Sequence, residues 1–495
     1  MNFGPVMTIL GWSLSLLSAL MLIPCLFALD ELSNDTAAAF FVSFIVTLFV
    51  GGGLVFASRG EAATLERKET YLVAVLVWVV IPVFAALPFY FGNAVTSPVD
   101  AYFEAISGFT TNGASVLRDL EGQPRAVILW RALTQWFGGF ALIILISILA
   151  TAISVPGSSP LSRALAKSTR RRMSRRVRYA VLSILGIYAI LTGICIVLLW
   201  FSGLSAFNAI CYGFSTLSTG GFTVSDSGHE LFENRFTELV LIIFMFAGAI
   251  NFALHWAFFN GNRKAYFENP EYRYLIYVFL FISVVMTIMM KFETNIPLID
   301  SIRYSIFNSV SFLTTTGYSM SPISESGEFY WPVGTLFLLF IAMTIGGSTG
   351  STAGGIKLMR IAMLMKLVLA EVKSLSFPSA VIVMKYAKDK ITKDDILSVW
   401  AFFAFYIFSL LLIALGLSLF GLDMQAALAV ATANLANAGS GINVTMLGFN
   451  LGGIPVYSYS DLPDGAKILL CFTMLLGRLE FFAVLALFNP ALWRR

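Results

Sequence analysis

Four short stretches of small, hydroxyl-bearing and amide-bearing residues each end in glycine: Thr110-Thr111-Asn112-Gly113, Leu217-Ser218-Thr219-Gly220, Thr314-Thr315-Thr316-Gly317 and Ala436-Asn437-Ala438-Gly439. None contains a charge, a thiol or an imidazole, so their chemistry is that of hydroxyl, amide and main-chain oxygens. Glycine lets a backbone turn without a Cβ clash, and rings of backbone carbonyls can replace the hydration shell of a monovalent cation. A single Thr-Gly pair says little. Four such stretches, each between two long apolar segments, predict a cation pathway built by one chain that repeats itself four times around an axis.

The elements that must position these stretches are short. Ala101–Phe109, Ala206–Phe214, Tyr304–Phe312 and Ala426–Ala433 precede them and are too short to cross a bilayer. They are expected to be re-entrant half-helices. With C-terminal ends pointing inward, their partial negative charge adds to the attraction for cations. Flexible external turns, also rich in Gly, Ser and Thr, are the bland alternative.

Composition sets the medium. Of 495 residues, 58% are apolar and 12% charged, with a mean hydropathy of +0.82. Soluble domains carry about 25% charged residues, so the chain is expected to be a polytopic, all-α membrane protein. A net charge of +4 is too mild to argue for nucleic acid. Cys25, Cys195, Cys211 and Cys471 form no CxxC and lie in or beside apolar segments, which points to inert thiols. His229 and His255 are isolated and suit neither haem nor metal ligation. No convergent set of His, Asp and Glu suggests an enzyme.

Read in order, the chain gives an N-terminal two-helix hairpin (1–69) with spans 6–29 and 37–58, the first retained rather than cleaved. Four repeats follow, at 70–160, 170–262, 272–366 and 390–491. Their flanking spans are placed at 70–92 and 127–153, 179–203 and 236–260, 273–290 and 331–345, then 396–421 and 466–489. A polar, Lys-rich segment from Lys366 to Lys393 is expected between the last two repeats. Loops on the side of the basic run Arg163–Arg178 hold 24 Lys and Arg, against 7 in loops that carry the glycine stretches. By the positive-inside rule the basic loops and both termini are cytoplasmic. All four repeats then share one orientation, as parallel repeats do. Non-helical backbone at membrane depth is tolerated where it lines a water-filled cavity.

Two further features lie at membrane depth. Gly346-Gly347-Ser348-Thr349-Gly350-Ser351-Thr352-Ala353-Gly354-Gly355-Ile356-Lys357 holds five glycines in twelve residues. Each weakens a helix by about 1 kcal/mol relative to Ala, so the span is expected to break there. Its spacing does not match a phosphate-binding loop, and close helix packing through small residues is the alternative reading. Arg478, in Leu475-Leu476-Gly477-Arg478-Leu479-Glu480, places a charge where insertion costs about 2.5–3.5 kcal/mol. It is expected to face a water-filled cavity or to pair with Glu480. The cluster Arg170–Arg178 suits lipid headgroups or a cytoplasmic regulatory protein.

The motifs Thr-Thr-Asn-Gly-Ala-Ser at 110–115, Ser-Thr-Gly-Gly-Phe at 218–222, Thr-Thr-Gly-Tyr-Ser at 315–319 and Asn-Ala-Gly-Ser-Gly at 437–441 resemble those of the Trk/Ktr/HKT superfamily of potassium transporters, and most closely its bacterial TrkH branch. The resemblance spans essentially the whole chain, including the N-terminal hairpin. It departs at Asn112, where the branch usually has Thr, and at Ser440, where it often has Pro. It implies that the four stretches form a potassium filter, with potassium held at Thr111, Asn112, Ser218, Thr219, Thr315, Thr316, Asn437 and Ala438. Gly in all four repeats goes with potassium, whereas Ser in the first goes with sodium in some relatives. The stretch from Gly346 to Lys357 corresponds to an intramembrane gating loop beneath the filter, and Arg478 to a pore-lining Arg opposite it. The resemblance further implies an inner-membrane homodimer, no cofactor in this chain beyond the transported ion, and a cytosolic ring of nucleotide-binding (RCK/KTN, TrkA-like) subunits. A sodium-preferring transporter, or a symporter coupled to protons or sodium, has the same architecture.

Overall fold

A segment surrounded by lipid must satisfy its backbone hydrogen bonds internally, which makes the helix the default for long apolar stretches. The computed structural model describes residues 3–31, 33–59, 67–152, 170–226, 228, 231–294, 296–320, 331–377, 384–386, 389–442, 450–451, 454–455 and 458–479. Among these, seven helices are long and apolar enough to cross a membrane, and eight if one sharply bent pair counts as a span. The large apolar side chains on their outer faces stay uncovered, as with Phe49 (80% exposed) and Phe281 (65%). Inward, the pattern reverses: the most deeply buried residues include runs of Ser, Thr and Asn. That inversion is what a lipid-facing exterior around a polar conduit requires.

The helices Phe3–Asp30 and Asn34–Ala57 form the expected hairpin. Their backbones meet at Gly11 and Gly51, where a Cβ on either would come within 2.9 Å of the other's carbonyl oxygen. Small residues permit this approach between membrane helices.

Each repeat is a spanning helix, a half-helix and a returning helix. The first runs through Arg67–Ala85, Pro98–Phe109 and Arg125–Ala152. The second runs through Arg170–Phe201, Ala206–Leu217 and Arg235–Ala249. Pro270–Glu293, Leu298–Leu313 and Val333–Ile345 make the third. Lys393–Leu419, Met424–Ala436 and Asp464–Arg478 make the fourth. The outer ends of three half-helices are capped by side chains: Ser97 accepts from the Val99 N–H, Ser205 from Asn208 and Asp423 from Ala426. Such caps satisfy donors that no helical carbonyl can reach.

The second repeat's first helix begins at Arg170, nine residues before the span placed at 179–203, and the third half-helix begins at Leu298 rather than Tyr304. Two further differences bear more on the site. The span placed at 236–260 breaks after Ala249 and resumes as Phe252–Phe259, bent by 101°. The carbonyls exposed by the break are taken by another segment: Ser348 N–H donates to Ala249 (3.0 Å) and Thr352 N–H to Gly248 (3.1 Å). Asn251 caps the new helix through Ala253 N–H, and both ring nitrogens of His255 are engaged, by Tyr266 Oη (2.7 Å) and Ala247 O (2.9 Å). The second difference lies after the third repeat. The expected polar segment Lys366–Lys393 begins inside a helix, Leu358–Ser376, so a boundary at 366 cuts that helix. Lys366 lies on that helix, and its ammonium donates to Lys385 O at 2.6 Å. Arg163, Lys167, His229, Glu480 and positions 481–489 lie outside the described residues, as do the side chains of Arg170–Arg178.

Candidate pore and gate

All four half-helices end in the same way. Thr111, Thr219, Thr315 and Asn437 each adopt φ between 51° and 57°, a left-handed conformation that costs a β-branched residue energy. The next residue then bonds back five positions: Asn112 N–H to Ser107 O, Gly220 to Ser215, Thr316 to Ser311 and Ala438 to Ala433, at 2.8–2.9 Å. These are the 6→1 bonds of a Schellman-type helix end. The recurrence gives the repeats a register independent of residue names.

That register corrects the sequence reading in the second repeat. The residue two beyond the left-handed position is Gly113, Gly317 and Gly439 in three repeats, but Gly221, not Gly220, in the second. Gly221 has φ +78, beside +80 at Gly113 and +84 at Gly317. The equivalent second-repeat stretch is therefore Ser218–Gly221. Leu217 is the last helical residue, and Thr219–Gly220, not Ser218–Thr219, matches Thr111–Asn112. The doubled glycine hid the offset, because either one fits a motif ending in Gly.

The four stretches converge. A Cβ placed on Gly113 would strike Gly220 O, and one on Gly221 would strike Thr316 O. Asn112 Nδ2 donates to Asn434 Oδ1 (2.9 Å), while its Oδ1 accepts from Gly439 N–H (3.3 Å), so the first stretch is tied to the fourth by side chain. Tyr459 Oη donates to Gly439 O at 3.1 Å. Above the stretches lies a cavity of about 220 Å³ whose walls include Gly113, Gly221, Gly317, Gly439 and Ser440. Four helix C-termini, each with partial negative charge, thus face one small space without a carboxylate in the stretches themselves.

Beneath them sits the loop from Gly346 to Lys357. Gly346, Gly350, Gly355 and Lys357 all have φ of 71–80°, which prevents a continuous helix. Ser348, Ser351, Thr352 and Lys357 are buried, and the Lys357 ammonium donates to Ala353 O. The loop bonds upward to three repeats. Thr352 Oγ1 reaches Leu217 O (3.2 Å), Gly354 N–H reaches Thr315 Oγ1 (2.6 Å), and Gly355 N–H reaches Ala436 O (3.1 Å). Gly347 packs against Ala249, and Thr349 N–H donates to Glu271 Oε2 at 2.7 Å. Arg478 completes the ring at the first repeat, donating to Thr110 O, Thr111 O and Thr111 Oγ1, with Nη1 on Thr352 O at 2.8 Å. Arg478 thus finds main-chain and hydroxyl oxygens of the first stretch and the loop.

The chain matches the TrkH family model, described as cation transport protein, over residues 36–495. It belongs to the TrkH cation transport family. The members of that family are transport proteins, not enzymes. Among relatives, the chain is 33% identical to the Trk system potassium uptake protein TrkH of Escherichia coli K12 and 31% identical to that of Halomonas elongata, covering all of both chains in each case. It is also similar to the crystal structure of the potassium transporter TrkH from Vibrio parahaemolyticus, with a TM-score of 0.88, 31% identity and full coverage of both chains. The helical fold with pore-loop repeats is that of the TrkH family.

Several residues that build this TrkH-type site are missed by the reading of the sequence. Glu104, on the first half-helix, accepts from Arg131 Nε at 2.7 Å, both fully buried. Arg131 also donates to Thr223 O (3.1 Å) and Ser115 Oγ (3.0 Å) and stacks over the Phe222 ring. Gln135 Oε1 accepts from Phe222 N–H at 3.3 Å. The alternation of charge with apolar residues around Glu104 and Arg131 could have flagged them, since an acid and a base inside predicted membrane segments need each other.

Proposed function

We propose that this chain takes potassium up across the inner membrane through a conduit between its four repeats, with the ion as its only bound cargo. The observation carrying this reading is the meeting of four half-helix C-termini at Gly113, Gly221, Gly317 and Gly439. Main-chain oxygens of Thr111–Gly113, Thr219–Gly221, Thr315–Gly317 and Asn437–Gly439 form the filter. The loop Gly346–Lys357, together with Arg478, closes the path on the cytoplasmic side. A buried cation beneath a cation filter opposes the passage of a like charge, and the loop occupies the way out until both move.

The excess of Lys and Arg in the loops opposite the glycine stretches supports cytoplasmic termini. The protein acts as a homodimer embedded in lipid and is regulated by a cytosolic nucleotide-binding subunit of the TrkA kind. This reading is supported by the Trk system to which its relatives' names refer. The test is ion flux into proteoliposomes under a fixed membrane potential, with potassium or sodium outside and with or without a pH gradient. Potassium flux well above sodium flux is expected. Sodium flux that equals or exceeds it would end the potassium assignment, and flux that collapses without a pH gradient would make the protein a proton-coupled symporter.

A further inference from the structure

One side chain from the fourth repeat reaches the middle of the glycine ring. Ser440 lies half-buried in the turn Gly439–Gly441 and forms part of the cavity wall. Its N–H donates to Asn112 O at 3.3 Å, and its hydroxyl donates to Thr316 O at 2.8 Å. Asn112 and Thr316 occupy the same register position in the first and third repeats, immediately before Gly113 and Gly317. A Cβ on Gly113 would come 2.8 Å from both Cβ and Oγ of Ser440, and one on Gly221 or Gly317 would come within 3.2 Å of its Cβ. Three repeats therefore close around this one side chain.

We infer that Ser440 sets the affinity of the filter for its cation, by competing for the Thr316 carbonyl. A cation held by the main-chain oxygens of this layer needs that oxygen turned to it, whereas a hydroxyl proton bound there points its positive end at the same lone-pair region. A cation sharing the Thr316 oxygen weakens the Ser440–Thr316 hydrogen bond, and the cost appears in the concentration that half-saturates transport. This rests on the filter assignment proposed above.

The test is uptake of potassium, and separately of sodium, by proteoliposomes over a range of ion concentrations, comparing the unaltered chain with Ser440→Ala, Ser440→Cys and Gly113→Ser. Removing the hydroxyl is expected to lower half-saturating potassium about two- to tenfold, the worth of one hydrogen bond, while the maximal rate stays within twofold. Ser440→Cys, close in size and a weak donor, should fall between. Half-saturation that is unchanged or raised in both Ser440 variants overturns the inference, a rise meaning that the hydroxyl is a ligand rather than a competitor. If Gly113→Ser, whose Cβ would meet the Gly220 carbonyl, abolishes uptake or changes the potassium-to-sodium ratio while the Ser440 variants change nothing, the filter reading stands and this one falls. If none of the three variants alters either quantity, both fall.

Discussion

Arg478 and Thr352, from different repeats, meet directly beneath the first glycine stretch: Arg478 Nη1 donates to Thr352 O at 2.8 Å, while Nη2 donates to Thr111 O at 3.2 Å. One guanidinium thus ties the loop to the first glycine stretch and places its charge below the proposed filter. Hydrogen bonds to charged groups contribute about 1.5–3 kcal/mol each, so losing even one weakens the closed arrangement about tenfold or more. Arg478→Ala is expected to raise basal potassium flux in proteoliposomes by at least that factor. Arg478→Lys keeps the charge but loses the planar fork, and should give a smaller rise. If the two variants leak equally, fixed charge contributes nothing and the bonds alone hold the loop.

Thr352 is the loop's other anchor. Its hydroxyl lies 2.9 Å from Gly248 O, 3.2 Å from Leu217 O and 3.2 Å from Thr219 Oγ1, joining the broken helix of the second repeat to the end of its half-helix. Thr352→Val preserves shape and removes the donor, leaving buried carbonyls one partner short. The expected result is faster basal flux with unchanged potassium-to-sodium preference, because the change lies below the filter. A shift in ion preference without a rise in flux would place Thr352 in the filter instead.

The register of the second repeat makes a sharp comparison. Gly221 has positive φ, and an added Cβ would run into the Thr316 carbonyl, which is backbone and cannot step aside. Gly220 does not have positive φ, and the nearest obstacle is the Gln135 side-chain amide. Gly221→Ala is therefore expected to abolish or strongly reduce potassium uptake in a potassium-requiring host, whereas Gly220→Ala retains most of it. The reverse order of severity would return the filter glycine to position 220.

What the chain discloses in one dimension follows from which forces act locally. Apolar runs long enough to cross a bilayer, and the short segments before each glycine, are local facts. Most helices sit within a few residues of where they are read, although one begins nine residues early at Arg170 and one six residues early at Leu298. The break in the second repeat escapes such reading because Gly248-Ala249-Ile250-Asn251 is apolar enough to pass as helix. It is opened by a loop a hundred positions away that takes its carbonyls. The choice between Gly220 and Gly221 also depends on where the helix stops, which the 6→1 bonds settle and the doubled glycine conceals. Glu104 and Arg131 look like two misplaced charges until the fold brings them together.

That pair has a consequence for stability. Glu104 Oε1 accepts from Arg131 Nε at 2.7 Å, and the Glu104 carboxylate also accepts from Ser115 Oγ and from Val116 N–H, just beyond Gly113. The ion pair braces the segment leaving the first glycine stretch, and Arg131 reaches across to Thr223 O just beyond the second. Removing one partner of a buried pair leaves an uncompensated charge and costs about 3–5 kcal/mol, whereas replacing both with apolar residues of similar size can be neutral. Glu104→Gln and Arg131→Met are each expected to lower the apparent melting temperature of the detergent-solubilised protein. The double variant Glu104→Leu with Arg131→Met should recover a large part of that loss while still transporting potassium less selectively, since the brace on Val116 and Thr223 is gone. With Glu104→Leu alone as the matching single variant, melting temperatures that fall additively would mean the two side chains act independently, and full selectivity in the double variant would confine the pair to folding.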